Sequence, residues 1–285
     1  MVALLLSVAA CSTSRSGTTA TPKPRPAPVS TTGPSPTPRP GIVRATHVFL
    51  IVMENKAVGE ALSQPYVASL AARYGSLTDY HAVAHPSAPN YLALTSGSTW
   101  GRHDDSYVEL PHADIGQQLT DAGLPWRAYM EDLPGDCRQS TGQYAVKHDP
   151  FAYYGGACPP EVVPLSDLGP DLGGSTPTFV WITPNLCHDT HDCPVSVGDT
   201  WLRSIVPQIM ASSAWQHGGV LFITWDEDDG SADNHIATLV ISPSLRPTDP
   251  AAPYTHLSLL ATIEDLLGVP RLATVASTPA ISLCC

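Results

Sequence analysis

The chain has 285 residues, room for one large domain or two small ones, and its 43% apolar content at a mean hydropathy of zero is enough for a buried core. No stretch approaches the ~20 apolar residues that a membrane-spanning helix needs, which argues against an integral membrane protein. The formal net charge of −12 disfavours nucleic acid and anionic membrane surfaces as partners, so an anionic substrate has to be held locally, by a metal or by focused donors.

Residues 1–11, Met1-Val-Ala-Leu-Leu-Leu-Ser-Val-Ala-Ala-Cys11, form an apolar segment ending in small residues and a cysteine, the form of the end of a secretory signal. Val8-Ala9-Ala10-Cys11 also resembles a bacterial lipobox, which would make Cys11 the lipidated first residue of a mature lipoprotein. A plain signal peptide cut nearby and an unprocessed apolar tail are the alternatives. Residues 12–41 are rich in Ser, Thr and Pro and carry Arg15, Lys23, Arg25 and Arg39 but no acid. They are expected to be an extended, disordered tether, because they cannot bury apolar surface. Without those four cations, 10 of the 14 Lys and Arg remain against 26 Asp and Glu, about −16 for a folded domain expected over residues 42–285. Seven cysteines in a chain with an export signal, six of them beyond Cys11, point to disulfides rather than free thiols. Cys137 with Cys158, and Cys187 with Cys193, each bracket a loop and are the expected pairs. Zinc is the alternative use, although no C-x-x-C pair precedes the C terminus.

Thr46-His-Val-Phe-Leu-Ile-Val-Met53 reads as a buried strand with Glu54 and Asn55 at its carboxyl end. A helical pattern around residues 66–74 follows, then the loop His85-Pro86-Ser87-Ala88-Pro89-Asn90 and a helix from Tyr91 towards Gly97. Asp114 opens another helix, ended by Gly123 and Pro125, before a strand over residues 126–130. Residues 131–175 are loop-rich. Residues 178–183 form a further core strand running into Pro184-Asn185, and a helix from Gly198 is expected to break at Pro207. The apolar run from Gly219 to Trp225 drives into Asp226-Glu227-Asp228-Asp229-Gly230. Residues 235–243 read as another strand, and residues 256–267 as an amphipathic helix stopped by Gly268. Strands alternating with helices imply a single three-layer α/β domain with a parallel or mixed sheet.

Ligands in open α/β sheets gather at the carboxyl ends of the strands. Adjacent carboxylates such as Asp226 and Glu227 cost electrostatic energy there unless a cation sits among them. Carboxylate and amide oxygens suit a hard divalent cation such as calcium, magnesium or manganese. A solvated acidic loop is the plainer reading; an EF-hand is excluded, because the glycine is out of register and no Glu closes the loop. Ser87, held between two prolines just before a helix, stands where amide N–H groups and the helix dipole favour an anion, or is simply an N-cap. A metal would decide for the first by lowering the hydroxyl pKa. Cys187-His188-Asp189-Thr190-His191-Asp192-Cys193 presents two histidines suited to phosphate binding or general acid work, and Lys147-His148-Asp149-Pro150-Phe151 is a similar segment.

In this order and combination, Met-Glu54-Asn55, His85-Pro86-Ser87-Ala-Pro89-Asn90-Tyr91, Lys147-His148-x-Pro150-Phe151, His188-Asp-x-His191-Asp and Trp-Asp226-Glu227-Asp-Asp-Gly230 resemble the bacterial phosphoesterase family of secreted acid phosphatases and phospholipases C, within the alkaline phosphatase superfamily. The likeness runs from about residue 46 to about residue 272. It implies an alkaline phosphatase-like three-layer α/β/α sandwich with a mostly parallel central sheet, and hydrolysis through a covalent phosphoenzyme. By motif position it implies Ser87 as the nucleophile and a metal contact, with Glu54, Asn55, Asp226 and Glu227 as the remaining ligands of a divalent metal ion (calcium, magnesium, manganese or zinc). It implies that Asn90 hydrogen-bonds a phosphoryl oxygen. His148 and His191 would bind phosphate or protonate the leaving group, and His188 would join substrate binding. Glu227 is a departure, since some relatives carry Asp there.

The resulting expectation is a secreted, membrane-tethered, metal-assisted acid phosphatase acting on small-molecule or lipid phosphomonoesters, phosphoinositide monophosphates among them. The alternatives are a phospholipase C-type phosphodiesterase and a non-catalytic surface lipoprotein that kept the fold.

Overall fold

Six apolar residues without a polar interruption, Val48–Met53, form strand β1 and are fully buried on both faces, as a central parallel strand covered by helices on each side must be. The computed structural model describes residues 43–285; the expected signal segment, lipobox and tether (residues 1–11 and 12–41) lie outside the described residues.

Among the described residues the chain forms eleven strands and eight α-helices. The strands are β1, β2 (Ser76–Leu77), β3 (Tyr80–His81), β4 (Trp126–Met130), β5 (Val162–Pro164), β6 (Phe179–Thr183), β7 (Val220–Trp225), β8 (Thr238–Ile241), β9 (Arg246–Pro247), β10 (Tyr254–Thr255) and β11 (Leu283–Cys284). The helices are α1 (Val58–Leu62), α2 (Pro65–Arg73), α3 (Ser87–Ser96), α4 (Ile115–Asp121), α5 (Leu168–Gly173), α6 (Val195–Ala211), α7 (Ser213–Gln216) and α8 (His256–Leu267). Seven strands make one sheet in the order β2-β8-β7-β1-β6-β4-β5. The run from β7 to β5 is parallel, and β8 and β2 finish one edge antiparallel. Helices α3, α4 and α8 pack with one another, as do α2, α5, α6 and α7. This is the expected α/β sandwich with a mostly parallel sheet. Strand β1 lies between β6 and β7, so the chain order reverses across it, the point at which such sheets open a crevice.

Three local expectations need correction. The expected strand over residues 235–243 narrows to Thr238–Ile241 and runs antiparallel to β7. Helix α6 runs unbroken through Pro207, which sits on its exposed face; solvent there satisfies the carbonyl that the ring leaves unpaired. Helix α3 begins at Ser87 rather than Tyr91, with Pro86 as its N-cap and Gly97 closing it in the left-handed conformation at φ 68°. Pro89 fits because the first turn of a helix has no intrahelical use for its missing N–H.

Candidate active site at the carboxyl end of the sheet

The register between β1 and β7 builds the floor of the site. Met53 pairs with Trp225, so the next residues, Glu54 and Asp226, leave the sheet side by side. Asp226 N–H donates to Met53 O (2.9 Å) and Asn55 N–H to Asp226 Oδ1 (3.1 Å). Asn55 takes φ 53° to turn the chain away, a conformation asparagine tolerates better than most residues. The loop after β6 crosses the same strand end: Glu54 N–H donates to Asp189 O (2.8 Å) and Thr190 Oγ1 to Glu54 O (2.7 Å).

Ser87, on the first turn of α3 and buried, completes this floor. Its Oγ lies 3.0 Å from Glu54 Oε2 and 3.1 Å from Glu227 Oε1. A hydroxyl has one proton to donate, so it satisfies one carboxylate and meets the other lone pair to lone pair. Burial and the Glu54 charge push Glu227 up to about 7 and hold Asp226 well above the usual carboxylate range. Glu54 goes the other way, to about 2: burial opposes its charge, but His148 outweighs burial. His85 donates from Nδ1 to Glu227 Oε2 (2.5 Å).

The nitrogen groups that face these acids come from segments outside the sheet. His148 is buried with Nε2 3.2 Å from Glu54 Oε2 and Nδ1 3.1 Å from Asp189 Oδ2, its ring stacked on Tyr91. The Nε2 contact is an ion pair out of line for a hydrogen bond. Burial disfavours the imidazolium, but the Glu54 and Asp189 carboxylates prevail and raise His148 to about 9. Lys147 Nζ donates to His191 Nε2 (3.0 Å), and His191 Nδ1 in turn donates to Asp192 Oδ1 (2.7 Å). The disulfides Cys137–Cys158 and Cys187–Cys193, both as expected, close the segments carrying these residues. Between them lies a cleft of about 350 Å³ lined by Lys147, His191, Ser140, Thr141 and Asp192.

Two expected residues are placed differently. Asn90 is not open to a ligand: Nδ2 donates to Ala84 O (2.8 Å) and Pro86 O (3.3 Å), while Oδ1 accepts from Val83 and Ala84 N–H. It braces the loop ahead of Ser87, because those four backbone groups converge on one amide. His188 turns away to Glu131, whose carboxylate lies 2.9 Å from Nδ1, and stacks on Trp201. Conversely, Asp189, Lys147 and His256 join the site without having been singled out. His256, at the start of α8, donates from Nε2 to Asp226 O (2.6 Å) and accepts at Nδ1 from Tyr80 Oη (3.1 Å); burial lowers it to about 4, so it stays neutral. Only the recurrent Lys-His and His-Asp pairings could have pointed to the first two, and nothing local marks the third.

The donors fit a metal ion. Glu54 Oε1 and Asp226 Oδ2 are buried without a hydrogen-bond partner, and hard carboxylate oxygens of this kind take divalent cations. Glu54, His148 and His191 also offer ligand atoms all within 4.8 Å of one another, a possible Glu/His/His site.

Fold and site together define an α/β protein with a carboxylate-flanked serine at the carboxyl end of its central strands. The profile of the Phosphoesterase family matches residues 60–270. A phosphatidylinositol-3-phosphatase from Mycobacterium tuberculosis is 33% identical over 246 residues, covering 83% of this chain and 81% of that protein. The chain belongs to the phosphoesterase family. An acid phosphatase from Aspergillus fumigatus is 28% identical over 79% of this chain, which spans only 55% of that relative. Among solved structures, a protein in the alkaline phosphatase superfamily from Vibrio parahaemolyticus aligns with a TM-score of 0.58 at 12% identity, over 82% of this chain and 69% of that one, a likeness of fold alone.

Proposed function

We propose that this chain is a phosphomonoesterase that works through a phosphoserine at Ser87 with the help of a divalent metal ion. The observation that carries this reading is the Ser87 hydroxyl standing within 3.1 Å of both Glu54 and Glu227. Glu54, Asn55, Ser87, Asp226 and Glu227 would hold the ion, which when bound supplies the positive charge that acidifies a serine hydroxyl and offsets charge on phosphoryl oxygens. This set is favoured over Glu54 with the two histidines because both nitrogens of His148 already face carboxylates and His191 Nε2 already accepts from Lys147.

Deprotonated Ser87 Oγ attacks phosphorus in line, forming the Oγ–P bond as the ester P–O bond breaks. His148, held between Glu54 and Asp189, lends the phosphoryl pocket its charge and an Nε2–H that has no hydrogen-bond partner. The Ser87 proton passes to a neighbouring carboxylate, Glu54 or Glu227. The leaving oxygen takes a proton from a water held at the His191 end of the site, and a second water then cleaves the phosphoserine and releases phosphate. The cleft between the disulfide-closed loops receives the leaving group. The name of the Mycobacterium tuberculosis relative makes phosphoinositide monophosphates one substrate class to try, alongside soluble monoesters.

The protein works outside the cytoplasm in this reading, lipidated at Cys11 and held off the membrane by residues 12–41. Two disulfides support the compartment, and no helix of the described residues is long and apolar enough to cross a membrane.

The test is hydrolysis of p-nitrophenyl phosphate and of its phosphocholine diester, by wild type and Ser87→Ala, with and without chelator. The monoester is expected to turn over faster, chelator to abolish turnover, and Ser87→Ala to lose at least about 10⁴-fold in kcat. Full activity in Ser87→Ala removes the nucleophile, and preference for the diester turns the reading to a phospholipase C-type enzyme.

A further inference from the structure

The start of α3 has less to offer an anion than a helix N-terminus usually does. The Ala88 N–H, next to the nucleophile, donates to Asp105 Oδ1 (2.9 Å), and Pro89 has no N–H at all. In a domain this acidic, a phosphoryl group then needs side-chain cations in addition to the metal ion. Lys147 has the required position. Its Nζ donates to Asp105 Oδ2 (3.2 Å) and to His191 Nε2 (3.0 Å), it is largely buried, and it lines the cleft beside His191. An ammonium has three protons to donate, and those two acceptors are its hydrogen-bond partners among the described residues. Asp105 thus spans two elements: one oxygen holds the amide that follows Ser87, the other holds the ammonium, so a single carboxylate sets the spacing between nucleophile and cation.

We infer that Lys147 binds a phosphoryl oxygen of the substrate with its remaining N–H, and that Asp105 is the positioning residue that holds it over Ser87. The inference deepens the phosphomonoesterase reading and rests on it. Three kinds of phosphate are equivalent at this contact: ester, phosphoserine and free product.

The test is calorimetric binding of inorganic phosphate to the metal-loaded protein, with melting temperatures as a control on folding and p-nitrophenyl phosphate kinetics alongside. Lys147→Met is expected to weaken phosphate binding about 10- to 100-fold, the worth of one charge-assisted hydrogen bond, and to lower kcat/KM about 10²- to 10³-fold. Lys147→Arg is expected to recover most of the binding, since the charge is kept. Asp105→Asn is expected to weaken binding about 5-fold alone and to add nothing in the Lys147→Met background, because both act through one ammonium. A merely structural Asp105 would give additive losses and overturn its positioning role. Phosphate binding within twofold of wild type in Lys147→Met overturns the inference, even if the wild type cleaves monoesters. Lys147-dependent phosphate binding by a wild type that cleaves no monoester upholds the contact and sinks the phosphomonoesterase reading. No phosphate binding by wild type sinks the contact outright.

Discussion

The two halves of the candidate site are built in opposite ways. The carboxylates Glu54, Asp226 and Glu227 stand on the ends of β1 and β7, neighbouring strands in the middle of the sheet. The cations Lys147 and His148, with His191 beside them, stand outside the sheet on segments closed by disulfides. Converging carboxylates repel, and desolvating each costs several kcal/mol. Only a scaffold that does not yield can hold them, and the apolar side chains of β1 and β7, all buried, contribute about 1.5–3 kcal/mol apiece. The cations need no such force, because they are drawn towards the acids. What they need is limited freedom, and in segments with little hydrogen-bonded structure a covalent cross-link supplies it.

The sharpest way to break this contrast is to relieve the acids. Asp226→Asn should lower kcat/KM by at least about 10³-fold, by removing a hard ligand where a metal contributes several kcal/mol. It should also raise the melting temperature of the chelated protein, since its carboxyl is held above its ordinary range by burial and by Glu54. Glu54→Gln should lose activity equally but melt lower, because its charge is favourably paired with His148. Calorimetry in chelator checks the signs; a lower melting temperature for Asp226→Asn would mean that the strand ends are not strained.

Opening the loops tests the other half. Replacing both cysteines of the 137–158 pair by alanine should cost about 3 kcal/mol, and of the 187–193 pair about 2 kcal/mol, scaling with sequence separations of 21 and 6. Both should lower kcat about tenfold while leaving metal affinity, measured by titration calorimetry, unchanged. Metal affinity that falls with the second pair would shift the ligand set towards His148 and His191.

The smallest effect separates the halves by pH. In the metal-free protein Glu227 titrates near 7 instead of its ordinary 4.5, so the fold holds a proton that the unfolded chain has lost, and stability falls as pH rises between those values. His148, raised from 6.5 to about 9, contributes stability that is full below 6.5 and lost as pH rises through 9. The melting temperature in chelator should therefore decline across both windows. Glu227→Gln should make the lower decline shallower without removing it, because Asp149 and Glu264 are also pushed up to about 7 by burial, and His148→Gln should flatten the upper one, by a few degrees each. A melting temperature that rises from pH 5 to 8 would contradict both assignments.

Glu54 and Asp226 were legible in the sequence because each directly follows an unbroken apolar run, and such a run has few outcomes other than a buried strand. Ser87 was legible as a residue but not in its setting: two prolines within four residues read as loop, whereas Pro86 caps α3 and Pro89 lies within its first turn. Asn90 and His188 were named by motif, yet the Asn90 amide is spent on Val83, Ala84 and Pro86, and His188 Nδ1 is drawn to Glu131. Asp105 and His256 carried no mark, since the groups that they hold, Lys147 and Asp226, lie 42 and 30 residues away.

The sequence by itself determined which strands fill the core, that the first and the acidic one end in carboxylates, and which cysteines pair across short loops. These are consequences of apolar runs and chain proximity, which act locally. The tertiary structure alone decided that Ser87 stands between two acids, that Asn90 faces inward to its own loop, and that Asp105 ties Lys147 to the nucleophile's helix. Those outcomes depend on strand register and loop crossing, which arise only when distant segments compete for the same few hydrogen-bond partners.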